Sequence, residues 1–130
     1  MSEIKPIAMP ISELCDRLTI AQLKKERLSD EEINKAELQK QIEYYESGVD
    51  MGRPRLVSLV IDLHEINGQM WDAEYAIRKG LDDDLGLEEI GRRALKIRDL
   101  NRVRVSVKNE ITEIVGQPEF RDCKMNHASS

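Results

Sequence analysis

Apolar residues recur along most of this chain at intervals of three and four, the period of a helix with one face turned inward. The first such stretch begins at Ser12, a good N-cap. Leu14, Leu18, Ala21 and Leu28 form one stripe, and Ile20 and Leu23 form another. A helix apolar on two sides is sandwiched between partners, so this one is predicted to run from Ser12 to about Leu28 between two neighbours. "SDEE" at 29–32 has the form of a capping box, with Ser29 as cap and Glu32 three residues on. It predicts a second helix to about Ser47, with Leu38, Ile42 and Tyr45 as a narrow seam and the rest facing water. Gly48 to Gly52 reads as a loop. Pro54 suits the first turn of a third helix, predicted to reach about Lys79 with Gly80 as its C-terminal stop. The acidic linker "LDDDLG" at 81–86 leads into a fourth helix, from about Leu87 to Val115, ended by Gly116 with Pro118 soon after.

These elements predict an all-α fold. It is a helical bundle with two long antiparallel helices (about 54–79 and 87–115), two shorter N-terminal helices and an extended N-terminal arm. Pro6 and Pro10 among Ile4, Ile7 and Ile11 make residues 1–11 the arm, expected to pack on something such as a neighbouring chain. Residues 117–130 read as a flexible tail. The chain of 130 residues suits one domain. Helices of about 40 Å at 1.5 Å per residue are long for so small a domain, and suggest a homo-oligomer.

Composition narrows the functional classes. Aromatic residues are only 4%, so the core must be built from Leu, Ile and Val. A net charge of -5 disfavours a general nucleic-acid binder, which needs a basic surface. No run of about 18 apolar residues exists, so no membrane span is expected. The opening "MSEIKPIAMP" lacks the layout of a signal peptide, which makes the cytoplasm the expected location. Cys15 and Cys123 have no metal-ligand spacing and are expected to be reduced thiols.

The candidate chemistry comes from charges that interrupt apolar faces. With about 100° per residue, Leu56, Leu59, Val60, Leu63, Ile66, Met70 and Ile77 share one arc of the third helix. Asn67, Glu74 and Arg78 fall inside it; Trp71 lies at its edge and Asp72 points away. The fourth helix repeats the pattern, with Asn101, Arg104 and Lys108 inside the arc of Ile90, Ala94, Ile97, Leu100, Ile111 and Val115. On the first helix Asp16 and Thr19 lie beside Ile20 and Leu23. Burying unpaired charge costs several kcal/mol, so such groups need partners or a ligand. If all face one space, Arg78, Arg104 and Lys108 meet only Asp16 and Glu74, and a small anion restores the balance. Guanidinium forks suit carboxylate or phosphate, and lysine adds a point charge. The alternative is a closed ion-pair network that fixes helix register, with Trp71 as an apolar wall.

Other signals are weak. His64 and Glu65 are adjacent and His127 is in the tail, so no metal site, catalytic constellation or cofactor is expected. HExxH, CxxC, GxGxxG, Walker and GxSxG motifs are absent. Asp82–Asp84 lacks the spacing and the trailing glutamate of a calcium loop.

Three stretches together resemble an uncharacterised bacterial and phage protein family, a domain of unknown function. They are "PISELCDRLTIAQLKKERL" at 10–28, "INGQMWDAEYAIR" at 66–78 and "LNRVRVSVKNEI" at 100–111. Asp16, Arg17 and Thr19 match the first motif. Asn67, Trp71, Glu74 and Arg78 match the second, and Asn101, Arg104 and Lys108 the third. The match spans most of the chain, with Cys15 standing where an aliphatic residue is expected and a shorter lead-in at "PISEL". The resemblance implies an all-helical fold and brings no activity with it.

Three functional readings follow. The first is a non-catalytic helical protein that binds a small anionic ligand, a nucleotide or phosphate-like group, between helices; a phage version would sequester a host signalling nucleotide. The second is an oligomerisation or adaptor module with a closed buried ion-pair network. The third is a chorismate-mutase-like enzyme, since such bundles hold a dicarboxylate with Arg, Lys and Glu side chains. A helical nucleotide pyrophosphatase is disfavoured, because the inward set is cationic where Mg²⁺ needs acids.

Overall fold

The computed structural model describes residues 9–121. Within them the elements are α1 (Ile11–Arg27), α2 (Lys35–Ser47), α3 (Pro54–Asp82) and α4 (Leu87–Ile114), followed by a 3-10 turn at Pro118–Phe120. No strand occurs among the described residues, so the predicted all-α bundle with two long antiparallel helices stands. The arm up to residue 8 and the tail from 122 lie outside the described residues.

Three boundaries differ from the sequence reading, each for a physical reason. Helix α1 starts one residue before Ser12, and Ser12 is buried in its first turn. The orphan amide of Ile11 is capped from a distance, donating to Gln117 Oε1 at 3.0 Å. Half of the Ser29–Glu32 box forms, with Ser29 N and Oγ donating to Glu32 Oε1 at 3.1 and 3.0 Å, but Glu32 N donates to the Ser29 carbonyl at 3.0 Å and the segment closes only a turn. Helix α2 begins after Asn34, whose Oδ1 accepts from Glu37 N at 3.2 Å. Ile33 and Leu38 flank that cap and join one apolar cluster, as in a hydrophobic staple.

Gly80 does not stop α3. The helix runs on to Asp82 and closes with Leu85 N donating to Gly80 O at 2.9 Å and Asp84 at φ 56°. Gly80 serves close packing instead: an added Cβ would stand 2.8 Å from both Arg93 Nη1 and Ile90 Cδ1. Gly116, at φ 74°, ends α4 as predicted.

The helices form layers. Helix α2 packs on α1 alone, and α1 packs in turn on the antiparallel α3–α4 pair. Two apolar faces of α1 explain this, divided otherwise than the expected stripes, since Leu14 lies on the α3–α4 side. Leu18 and Ala21 meet Leu38 and Ile42 of α2, while Ile11, Leu14 and Cys15 meet Leu56, Leu59, Leu63 and Ile111. Val49, from the loop after α2, is tucked into that second cluster.

Helix α1 starts beside the end of α4, where Ile11 meets Gln117, and passes Arg104 at Asp16. It then crosses to α3, where Arg27 reaches Gly68 and Asp72. The pair continues beyond that crossing. From Ala73 to Asp82, α3 extends about 15 Å further at 1.5 Å per residue. Among the described residues α3 and α4 there have only each other, and Leu81, Leu85, Leu87 and Leu95 are exposed.

Candidate functional site

Glu13, Asp16 and Thr19 recur at three-residue spacing and so share one side of α1. That side meets Arg104 and Lys108 of α4 and Asn67 of α3. Asp16 is the centre, with 3% of its surface exposed. Arg104 grips it with both arms of its fork: Nε donates to Oδ1 at 3.0 Å and Nη2 donates to Oδ2. Asn67 Nδ2 donates to the same Oδ1 at 3.0 Å and to Thr19 Oγ1 at 2.9 Å. The Thr19 hydroxyl passes its own proton back to the Asp16 carbonyl at 2.8 Å. One turn along α4, Lys108 Nζ donates to Glu13 Oε1. No buried side-chain nitrogen or oxygen among the described residues is left without a hydrogen bond.

The electrostatics follow from this geometry. Burial by itself pushes the Asp16 carboxyl upward. Hydrogen bonds from Arg104 and Asn67, with the charges of Arg104 and Lys108, outweigh it and hold the group below the ordinary aspartate range. Asp16 is therefore a fixed anion at neutral pH, which does not suit a proton donor or acceptor. The adjacent Cys15 thiol is pushed up to about 12 by burial and by the Asp16 charge, and is inert.

The predicted residues divide into two groups. Asp16, Thr19, Asn67 and Arg104 come together, and Lys108 sits beside them. Asn101 is exposed and accepts from Arg104 Nη1 at 3.2 Å. Trp71 is half-buried, and Arg27 lies over its ring with Cζ 5.9 Å from the centroid. Glu74 and Arg78 are exposed, which corrects the expectation that they face the core. The helical phase was right: Glu74 lies one heptad past Asn67, on the same side. The cover was missing, because α1 crosses α3 before reaching them. No enclosed chamber therefore spans Arg78 to Lys108.

What remains is a groove of about 370 Å³ where α1 crosses the pair, lined by Ile20, Leu23, Asn67, Met70, Trp71, Glu74 and Arg104. Glu74 stands at its lip, and Arg78 does not line it. Sequence reasoning missed Glu13 as the acid for Lys108; its signal was the three-residue step back from Asp16. It also missed a second groove of about 580 Å³ on the far half of the α3–α4 pair. Ala76 and Lys79 of that groove lie about half a turn away from the Asn67 side. Its cations are largely spoken for: Glu89 holds Arg92 and Arg93, and Lys79 pairs with Asp83 at 3.4 Å.

Among the described residues no group of three or more His, Cys, Asp or Glu is placed to hold a metal ion. No helix among them is long and apolar enough to cross a membrane. Comparisons with protein-family models, with curated proteins and with solved structures each return no match.

Proposed function

We propose that this chain is a non-catalytic helical interaction module. Its closed polar cluster locks α1 onto the α3–α4 pair, and the far half of the pair is the working surface. The observation that carries this is the exposure of Leu81, Leu85, Leu87 and Leu95 on a two-helix projection, with Leu87 at 90%. Exposed apolar residues are individually ordinary, but four on one short projection mark a site of association. The polar cluster supports the reading from the other side. Arg104 and Lys108, the cations expected to await an anion, are held by Asp16 and Glu13. A dicarboxylate substrate would have to displace both acids, which weakens the mutase reading as well.

Photo-crosslinking in cells tests this. A photoreactive residue at Leu87 is expected to give discrete protein adducts, identified by mass spectrometry. The same residue at Tyr44, 71% exposed on α2, is the control and is expected to give none. Equal labelling from both positions, or none from Leu87, removes the proposal.

One observation favours a second reading, the small anionic ligand. The groove beside Trp71 joins apolar walls to Asn67 and to the outer edge of Arg104, whose side chain is 23% exposed. Calorimetry against nucleotides and sugar phosphates tests it. Heat that vanishes in a Trp71→Ala variant would support it, and silence up to millimolar ligand would end it.

A further inference from the structure

The projection leaves a step in the molecule. Its floor is the far half of the α3–α4 pair on the side that α1 would have covered. Helical phase identifies that side. Glu74 and Leu81 lie one and two heptads past Asn67, which touches α1; Asn101 and Ala94 lie one and two heptads before Lys108, which also does. Leu87 lies about five turns before the buried Val105, in the same phase. The wall of the step is the edge of α1 that carries Arg17, Ile20 and Lys24, at spacings of three and four. Ile20 lines the groove in the corner.

Charge is distributed unevenly over this shape. The wall offers Arg17 and Lys24, and the floor adds Arg78; none of the three has an ion-pair partner among the described residues. The tip of the projection, Asp82 to Asp84, is acidic. Among the described residues only Asp83 is paired there, with Lys79. Apolar leucines sit between the acidic tip and the basic wall.

We infer that the step is filled by the projection of a second copy of this chain, in an antiparallel two-fold dimer. This rests on the reading of the projection as an interaction surface, and names its partner. A two-fold operation makes one surface serve both subunits. The projection of one copy and the floor of the other are the same segment, so their lengths match by construction. With the projections side by side and reversed, Leu81 and Leu87, which flank each tip, come down beside Ile20 in the neighbour's corner. The acidic tip of each then arrives at the basic wall of its neighbour. Each projection thus continues the layer that α1 begins, and completes a four-helix arrangement of two α3–α4 pairs.

The full chain is tested by sedimentation velocity across micromolar concentrations, with helicity checked by circular dichroism. The wild type is expected at twice 15.0 kDa. Leu87→Glu, which keeps a favourable residue in the first turn of α4, is expected to halve that mass without loss of helicity. A charge swap is more demanding. A tip variant, Asp82→Lys with Asp83→Lys, and a wall variant, Arg17→Glu with Lys24→Glu, are each expected as monomers. Mixed together they are expected to return to the dimer mass, since each bad contact finds its complement. A monomeric wild type, a dimer indifferent to Leu87→Glu, or a mixture that stays monomeric overturns the inference. The crosslinks at Leu87 separate the two failures. Adducts to a different protein sink the dimer and keep the interaction surface, whereas no adducts sink both.

Discussion

Arg104 on α4 holds both carboxylate oxygens of Asp16 on α1, Nε to Oδ1 at 3.0 Å and Nη2 to Oδ2, across 88 positions of sequence. This pair ties the first helix to the last. Because Asn67 of α3 donates to the same Oδ1, a shift of any of the three helices would leave a buried charge short of a partner. The energy at stake lies less in the pair's net contribution than in the cost of breaking it from one side.

Removing both partners should therefore cost less than the sum of removing each alone. Asp16→Ala and Arg104→Ala are each expected to lower stability by about 3–5 kcal/mol, the range for breaking a buried pair. The double variant should fall short of the sum by about 1–3 kcal/mol, the coupling typical of residues in direct contact. Urea unfolding of the four proteins measures this, and simple additivity would refute the lock. Arg104→Lys keeps the charge but not the fork, and is expected to recover only part of the loss.

The depressed pKa of Asp16 gives the lock a pH dependence of known sign. A carboxyl held below its unfolded value contributes stability that is fully present above that value, and loses it as pH falls through the folded one. The unfolded value is about 3.9. The stability gap between wild type and Asp16→Asn is thus expected to be flat from neutral pH down to about 5 and to narrow below about 4. Curves that run parallel down to the acid limit would show that Asp16 is not held as argued.

Cys15 should be silent until the protein unfolds. With the thiol pushed up to about 12, its thiolate fraction at pH 8 is on the order of one in ten thousand, and the side chain is 0% exposed. In a Cys123→Ser background, a thiol reagent at pH 8 is expected to react only at the rate of global or local opening, and at once in denaturant. Fast labelling of the native protein would contradict the packing of α1 on the α3–α4 pair.

Much of this was legible in the sequence. The period of three and four placed all four helices, and two stripes on α1 foretold partners on both sides, although Leu14 packs toward the α3–α4 pair and not with Leu18 and Ala21. Asp16, Asn67, Arg104 and Lys108 could be chosen without coordinates, because a charge inside an apolar arc is costly and so has a reason to be there. Local chemistry misled at two ends. Ser29–Glu32 looked like a helix start, yet it closes only a turn, and the helix begins after Asn34, whose side chain accepts from Glu37 N. Gly80 looked like a stop, yet it faces α4 so closely that a side chain would not fit.

What the sequence could not supply was the length over which a neighbour covers each face. Phase along α3 is a one-helix property, set by 100° per residue, and it correctly aligned Glu74 and Arg78 with Asn67. Burial depends on where another helix starts, crosses and ends. Helix α1 crosses α3 near Gly68 and Asp72, so the same face is core at Asn67 and solvent at Arg78. The partner acid of Lys108 was hidden for the same reason, since only the crossing of α1 over α4 brings Glu13 within reach. The chain itself determined which faces are apolar and which charges interrupt them. The tertiary packing decided which of those charges close on each other and which stretch of apolar face is left for another molecule.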